Sequence, residues 1–263
     1  MSLHISFAGQ PLKQAPTLVF LHGWGMHSGI WKQLSEQLKD DFSIVLIDLP
    51  GHGYSNVPVE ACSLDAMVEQ IHEVLKKSNI SNAAWLGWSL GGVVAMEYAR
   101  RYNEEVSSLI TLCSSPCFVA TDDWSAGMPA DTFNQFSKAF KVSSLKTLQR
   151  FAMLQVQGSA TARHDLKELK RLITEVTEPD QEALSAALEI LEADHRLLTE
   201  ALDQSGLSVA HVLCELDTLA PVGIADYLRQ LSHSTVDILL NLSHVPMLSA
   251  PEQLAELIRG KLL

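Results

Sequence analysis

Six short aliphatic runs, at residues 18–21, 44–47, 84–86, 109–112, 209–213 and 236–240, set the terms for this chain. They lack the polar alternation of a half-exposed strand, so each reads as a strand covered on both faces, as in a parallel sheet flanked by helices. Leu64–Lys77 and Leu90–Arg101 lie between the middle runs with apolar residues at helical period, which completes the strand–helix alternation of that architecture. After 112 the rhythm stops. From about Cys117 to Leu202 there is no strand candidate, and the segments 132–140, Ser144–Gln155, 160–173 and 179–191 repeat apolar residues at three and four. Strands resume at Val209, and a helix over 251–263 closes the chain. The expectation is one α/β domain with a mostly parallel central sheet covered by helices. Its core comprises residues 1–116 and 203–263, and an all-helical insertion at 117–202 follows the sixth strand. Such an insertion stands over the C-terminal strand ends, where open α/β sheets bind ligands, and is read as a lid.

Gly87-Trp88-Ser89-Leu90-Gly91 matches G-x-S-x-G and stands between an apolar run and an amphipathic helix, the setting of a nucleophile elbow. A sharp strand-to-helix turn strains the serine backbone and leaves room only for small flanking residues. Ser89 then projects above the sheet at a helix N-terminus, where the dipole favours developing negative charge. A hydroxyl is a weak nucleophile at neutral pH, so it needs a base oriented by an acid, and in this setting they follow in the order Ser, Asp, His. Asp217 comes just past the run at 209–213, and His244 holds the same place after 236–240. Both therefore sit on the same rim as Ser89. Taken alone, Asp217 has an ordinary reading as a cap for a helix starting at Pro221, and His244 as a loop histidine. Order and strand-end placement together single them out as acid and base. Asp48, ahead of Pro50-Gly51-His52-Gly53, reads as fixing a turn, and Asp237 lies inside a strand. His22, His52 and His211 read as structural hydrogen-bonding residues.

Acyl transfer also needs two N–H donors for the oxyanion. The Leu90 amide is one, and the other is expected from His22-Gly23-Trp24-Gly25, at Trp24, whose indole could equally wall the acyl pocket. Ser89 would attack a carbonyl as His244 takes its proton, with no metal or organic cofactor required. A net charge of -12 gives no reason to expect nucleic acid as a partner. Basic residues nevertheless cluster in the insertion: Lys146 and Arg150, Arg163 and Lys167, then Lys170 and Arg171. They read either as a solvated helix face or as a dock for an acidic partner or a phosphate-bearing substrate. Phe133, Phe136, Phe140, Phe151, Met153 and Leu154 are mostly core, with part of the set lining a tunnel if the acyl chain is long. Cys62, Cys113, Cys117 and Cys214 lack paired metal-ligand spacing, and two of them sit in apolar runs, which suits a reduced compartment. No basic-then-apolar leader and no run of about eighteen apolar residues appear, so a cytoplasmic protein without membrane contact is expected.

Leu21-His22-Gly23-Trp24-Gly25, Asp48-Leu49-Pro50-Gly51-His52-Gly53, Trp85-Leu86-Gly87-Trp88-Ser89-Leu90-Gly91-Gly92 and Ser114-Ser115-Pro116-Cys117-Phe118 resemble the pimeloyl-[acyl-carrier protein] methyl ester esterases of biotin biosynthesis. These are carboxylesterases of the α/β-hydrolase fold. The first two motifs are widespread in that fold; the tryptophan before the nucleophile and Ser-Ser-Pro-Cys-Phe are more selective. Arg150-Phe151, Leu154-Gln155 and Leu188-Glu189-Ile190-Leu191 are similar too. The resemblance implies cleavage of the methyl ester that masks pimeloyl on its carrier protein. It implies substrate contacts at Trp24, Ser89, Leu90, Phe151, Ala152, Met153, Leu154, Gln155 and His244. Lys146, Arg150, Arg163 and Lys167 would meet the acidic acyl-carrier protein, and a monomer is expected. Cys214 and Glu215 stand where the family often has glycine, and lysines replace some lid arginines, which grip carboxylates and phosphates differently. The alternative is a general short-chain carboxylesterase or thioesterase on the same triad, since the fold does not set the substrate.

Overall fold

The aliphatic runs pair into one seven-stranded sheet in the computed structural model, which describes residues 3–176 and 180–263. Its strands are β1 (Ile5–Gly9), β2 (Thr17–Leu21), β3 (Ser43–Ile47), β4 (Ala83–Trp88), β5 (Val106–Leu112), β6 (Val209–Cys214) and β7 (Ser234–Leu239). They lie in the order β1-β3-β2-β4-β5-β6-β7, with β1 antiparallel to β3 and the other neighbours parallel. Every residue of β4 and β6 is buried, as strands covered on both faces must be, whereas the edge strands β1 and β7 are partly exposed. The chain winds outward from β2 in both directions, to β3 on one side and β4 on the other. The loops leaving β2 and β4 therefore meet at the C-terminal edge of the sheet, where such a reversal opens a crevice.

Helices α1 (Lys32–Leu38), α2 (Leu64–Lys77) and α3 (Leu90–Arg101) fill the crossovers. The insertion carries α4 (Ala130–Val142), α5 (Ser144–Gln155), α6 (Ala162–Glu175) and α7 (Gln181–Glu192). After it come α8 (Arg196–Ser205), α9 (Ala225–Leu228), α10 (Pro246–Ser249) and α11 (Pro251–Leu262). α11 packs on α1, while α2 and α8 both pack on α3. The insertion's ends are stitched together: Cys117 bridges Asp194, and the His195 N–H donates to the Pro116 carbonyl at 2.7 Å. α8, counted with the insertion on sequence grounds, thus lies beyond that closure and against the sheet's own helix layer.

One expectation changes. The insertion follows the fifth strand of this chain, not the sixth, because β1 alone precedes β2 and pairs with β3 only, at the sheet edge. β1 itself is hard to see in the sequence, since an edge strand gains its partner from a segment far along the chain and leaves Phe7 54% exposed. Residue 179, the expected start of the last insertion helix, lies outside the described residues. From Asp180 onward the start is clear: its Oδ1 accepts the N–H groups of Glu182 and Ala183, capping α7.

Candidate active site

Ser89 joins β4 to α3 at φ 54° and ψ −118°, a conformation that costs free energy for any residue with a Cβ. Neighbours hold it there. The Ser89 N–H donates to the Leu112 carbonyl at 3.0 Å, and its own carbonyl accepts from the Gly92 N–H at 2.9 Å and from Ser114 Oγ at 2.8 Å. A Cβ on Gly87 would lie 2.3 Å from the Gly91 carbonyl oxygen, and one on Gly91 2.4 Å from the Leu21 carbonyl oxygen. Both outer positions of the motif are therefore glycine for want of space.

Asp217 follows β6 on a tight turn, its Oδ1 accepting the N–H groups of Leu219 at 2.8 Å and Ala220 at 3.1 Å. Its Oδ2 lies 2.7 Å from His244 Nδ1. An ionised carboxylate only accepts, so Nδ1 carries the proton and Nε2 the lone pair. Asp217 is 3% and His244 1% exposed, and Nε2 has no hydrogen-bond partner among the described residues. A ring held in one tautomer with its basic nitrogen unoccupied suits a general base. The His244 backbone is tied at both ends: its N–H donates to the Gln155 carbonyl at 3.1 Å, and its carbonyl accepts from Trp88 Nε1 at 2.8 Å.

Cys113, Asp217 and His244 each place one possible ligand atom within 4.8 Å of the others. Asp217 and His244 are engaged with each other, however. Burial, with Cys214 3.4 Å away, pushes the Cys113 thiol well up, away from the thiolate a metal needs. Cys62, Cys113, Cys117 and Cys214 are all free and buried.

The loop after β2 faces Ser89, since a Cβ on Gly23 would lie 3.1 Å from Ser89 Cβ. Neither the Trp24 N–H nor that of Leu90, the first residue of α3, has an acceptor among the described residues. His22 holds this loop. Its Nε2 accepts the Leu49 N–H at 2.9 Å, leaving Nδ1 to donate to the Gly23 carbonyl at 2.9 Å. Burial, with His52 beside it, lowers its pKa to about 3 and keeps the ring neutral. Burial likewise takes His52 and His211 to about 4. Asp48 accepts the N–H groups of Ser28 at 2.6 Å and Tyr54 at 2.9 Å, so it fixes the turn ahead of it.

Ser89 borders a cavity of about 70 Å³ roofed by the insertion. Trp24, Phe118, Met128 and Leu219 line it with Thr132, Phe133 and Phe136 of α4, Phe151 and Leu154 of α5, and Leu188 and Leu191 of α7. The Trp24 indole is a wall, edge-on to Phe136, Phe140 and Phe151 with ring centres 5.0–5.5 Å away, and its Nε1 donates to the Leu184 carbonyl at 2.8 Å. Of the five consecutive residues expected to touch substrate, Phe151 and Leu154 reach the cavity. Ala152 is buried away from it, Met153 is 47% exposed, and Gln155 holds His244. A helix turns about 100° per residue, so it cannot aim five in a row at one space. Met128, Thr132 and Leu219 escaped sequence reasoning; only the position of Leu219, two past Asp217, gave a signal. A larger cavity of about 350 Å³ lies by His27, His52, Asn56 and Leu172, and none of Ser89, Asp217 and His244 borders it.

A family model described as alpha/beta hydrolase fold matches residues 16–239. The chain belongs to the α/β-hydrolase family. This hydrolase is 37% identical over 243 residues to the pimeloyl-[acyl-carrier protein] methyl ester esterase of Aliivibrio fischeri strain MJ11, covering 92% of this chain and 91% of the relative. It is 36% identical over 251 residues to the protein of the same name from Vibrio parahaemolyticus, covering 95% of each. Among solved structures, an esterase from Exiguobacterium antarcticum superposes with a TM-score of 0.88 at 19% identity, over 98% of this chain and 94% of that one. The enol-lactonase from Burkholderia xenovorans LB400 superposes at 0.84 with 14% identity, over 98% and 95%. At such low identity these two speak for the fold.

On the outside of this α/β-hydrolase, α5 and α6 pack side by side and carry Lys146, Arg150, Arg163 and Lys167, all exposed. None of the four forms an ion pair among the described residues, whereas Arg171 is held by Glu168 at 2.7 Å and Glu175 at 2.6 Å. No helix among the described residues is long and apolar enough to cross a membrane.

Proposed function

We propose that this α/β-hydrolase is a cytoplasmic serine carboxylesterase that removes the methyl ester from pimeloyl-[acyl-carrier protein] in biotin biosynthesis, releasing methanol. The pairing of His244 Nδ1 with Asp217 Oδ2 at 2.7 Å, both buried on the rim that carries Ser89, is the observation that supports the chemistry. The names borne by relatives 36–37% identical over nearly the whole chain support the substrate.

In this reading His244 Nε2 takes the Ser89 hydroxyl proton as Oγ attacks the ester carbonyl. Oxygen charge in the tetrahedral intermediate falls to the amides of Trp24 and Leu90, which are not otherwise engaged. The imidazolium, stabilised by Asp217, gives its proton to the methoxide oxygen as the C–O bond breaks, so that methanol leaves and the acyl-enzyme remains. Water activated by the same ring then releases the acid and restores Ser89. Lys146, Arg150, Arg163 and Lys167 draw in the acidic carrier protein.

The cavity of about 70 Å³ beside Ser89 is narrow for a seven-carbon diacid chain, which supports a reading in which the insertion shifts as this substrate enters. The same small cavity favours a second reading, a carboxylesterase or thioesterase for short acyl groups. Methanol release from pimeloyl-carrier protein methyl ester, compared with a matched free methyl ester and with Ser89→Ala, separates them. Fast turnover of the carrier-bound ester alone supports the first; equal rates support the second; a fully active Ser89→Ala protein defeats both.

A further inference from the structure

We infer that Trp88, the middle residue between Gly87 and Ser89, is a positioning residue for both the base and the oxyanion loop. The inference rests on the roles proposed above for Ser89 and His244. Trp88 is 1% exposed and makes four contacts from one indole. Its Nε1 donates to the His244 carbonyl at 2.8 Å, across 156 residues of sequence. Its ring lies 5.4 Å from the imidazole, tilted by 49°. Its six-membered ring also backs the loop after β2, since a Cβ on Gly23 would meet Trp88 Cε3 at 3.0 Å and Cζ3 at 3.1 Å. Trp31 steadies the indole edge-on at 6.4 Å.

These contacts form a gauge between parts that must meet within a fraction of an ångström. The peptide bond fixes Trp88 to Ser89. The bond to the His244 carbonyl restrains the backbone from which the imidazole projects, and contact with Gly23 restrains the peptide that carries the Trp24 N–H. On the opposite side the His244 N–H is held by Gln155, so freeing the carbonyl would leave the insertion as the only one of these two backbone anchors, with Asp217 still holding the ring. Reaction rates are steep in such displacements. A phenylalanine would still back Gly23 but has no N–H, which makes the two roles separable.

The test uses Trp88→Phe together with site-specific replacement of Trp88 by 3-benzothienylalanine, which keeps the shape and exchanges the N–H for sulfur. Steady-state hydrolysis of a small methyl ester gives kcat, KM and the pH dependence of kcat/KM, and a fluorophosphonate labels Ser89 in the native protein as a control. Both variants are expected to lose about tenfold in kcat with KM within about twofold. The acid limb of kcat/KM is expected to move to lower pH, because an imidazole held less well against the Asp217 carboxylate is less basic. A merely structural role would lower the melting temperature and leave that limb in place. A folded benzothienylalanine variant with native kcat and a native acid limb overturns the inference, while labelling of Ser89 shows that the nucleophile assignment survives it. Failure to label the native protein would overturn both.

Discussion

The backbone N–H of His244 donates to the carbonyl of Gln155, 3.1 Å away, at the last residue of α5. The loop that carries the proposed base is thus fastened to the insertion. The helix that presents Lys146 and Arg150 to solvent ends on that loop, so a partner docked on α5 acts on an element in direct contact with the base.

Replacing Asp217 by asparagine keeps an acceptor for the Leu219 and Ala220 amides but offers His244 Nδ1 a side chain that can also donate, so the ring loses its enforced tautomer. We expect kcat to fall about 10³–10⁴-fold with little change in KM. Retention of more than about a tenth of native turnover would remove Asp217 from its assigned role.

Gly91→Ala places a Cβ 2.4 Å from the Leu21 carbonyl and 2.6 Å from that of His22, both main-chain atoms. A loss of about 1–3 kcal/mol in stability, with impaired turnover, is expected from chemical denaturation. Gly260→Ala meets nothing within 4 Å on α11, and should be neutral or stabilising by up to about 1 kcal/mol. Equal effects of the two would contradict the packing argument at the elbow.

Changing Lys146, Arg150, Arg163 and Lys167 together to glutamate should lower kcat/KM for the carrier-bound ester by about 10²-fold or more, and leave a free methyl ester within about twofold. Raising salt should weaken only the native reaction with carrier. Arg171→Glu should do less, because Arg171 is already held by Glu168 and Glu175. A uniform loss on both substrates would point to damage in the insertion instead of lost docking.

His22, His52 and His211 are buried with pKa values lowered to about 3, 4 and 4. In the unfolded chain each binds a proton near pH 6.5, while in the native state each stays neutral until far lower pH. Between those limits the unfolded state binds more protons, so stability is full above about pH 6.5 and falls as pH drops toward 4. Melting temperatures across that window should decline, and His211→Gln should flatten the slope. A melting temperature constant from pH 7 to 4.5 would be incompatible with these buried neutral rings.

Much of the site was legible in advance for a local reason. Ser89 must sit between glycines where a buried strand turns sharply into a helix, and the carbonyls of Gly91 and Leu21 show the lack of room that enforces it. Asp217 and His244 stood just past buried strands, and strand ends on one edge of a parallel sheet are brought together by the sheet itself. The run 151–155 was legible only as a segment, because which of its faces meets the cavity depends on the rotation of α5 against α4 and α7. β1 escaped notice because its pairing with β3 is a long-range hydrogen-bond choice, not a periodicity.

Strand positions, the elbow and the order of Ser89, Asp217 and His244 follow from sequence alone, since each depends on a pattern a few residues long. Tertiary structure decided the contacts that depend on packing phase and distant partners: Trp88 Nε1 on the His244 carbonyl, the Gln155 carbonyl on the His244 N–H, and Phe151 and Leu154 turned to Ser89 while Met153 faces water. Such contacts join segments up to 156 residues apart, and no local propensity specifies them.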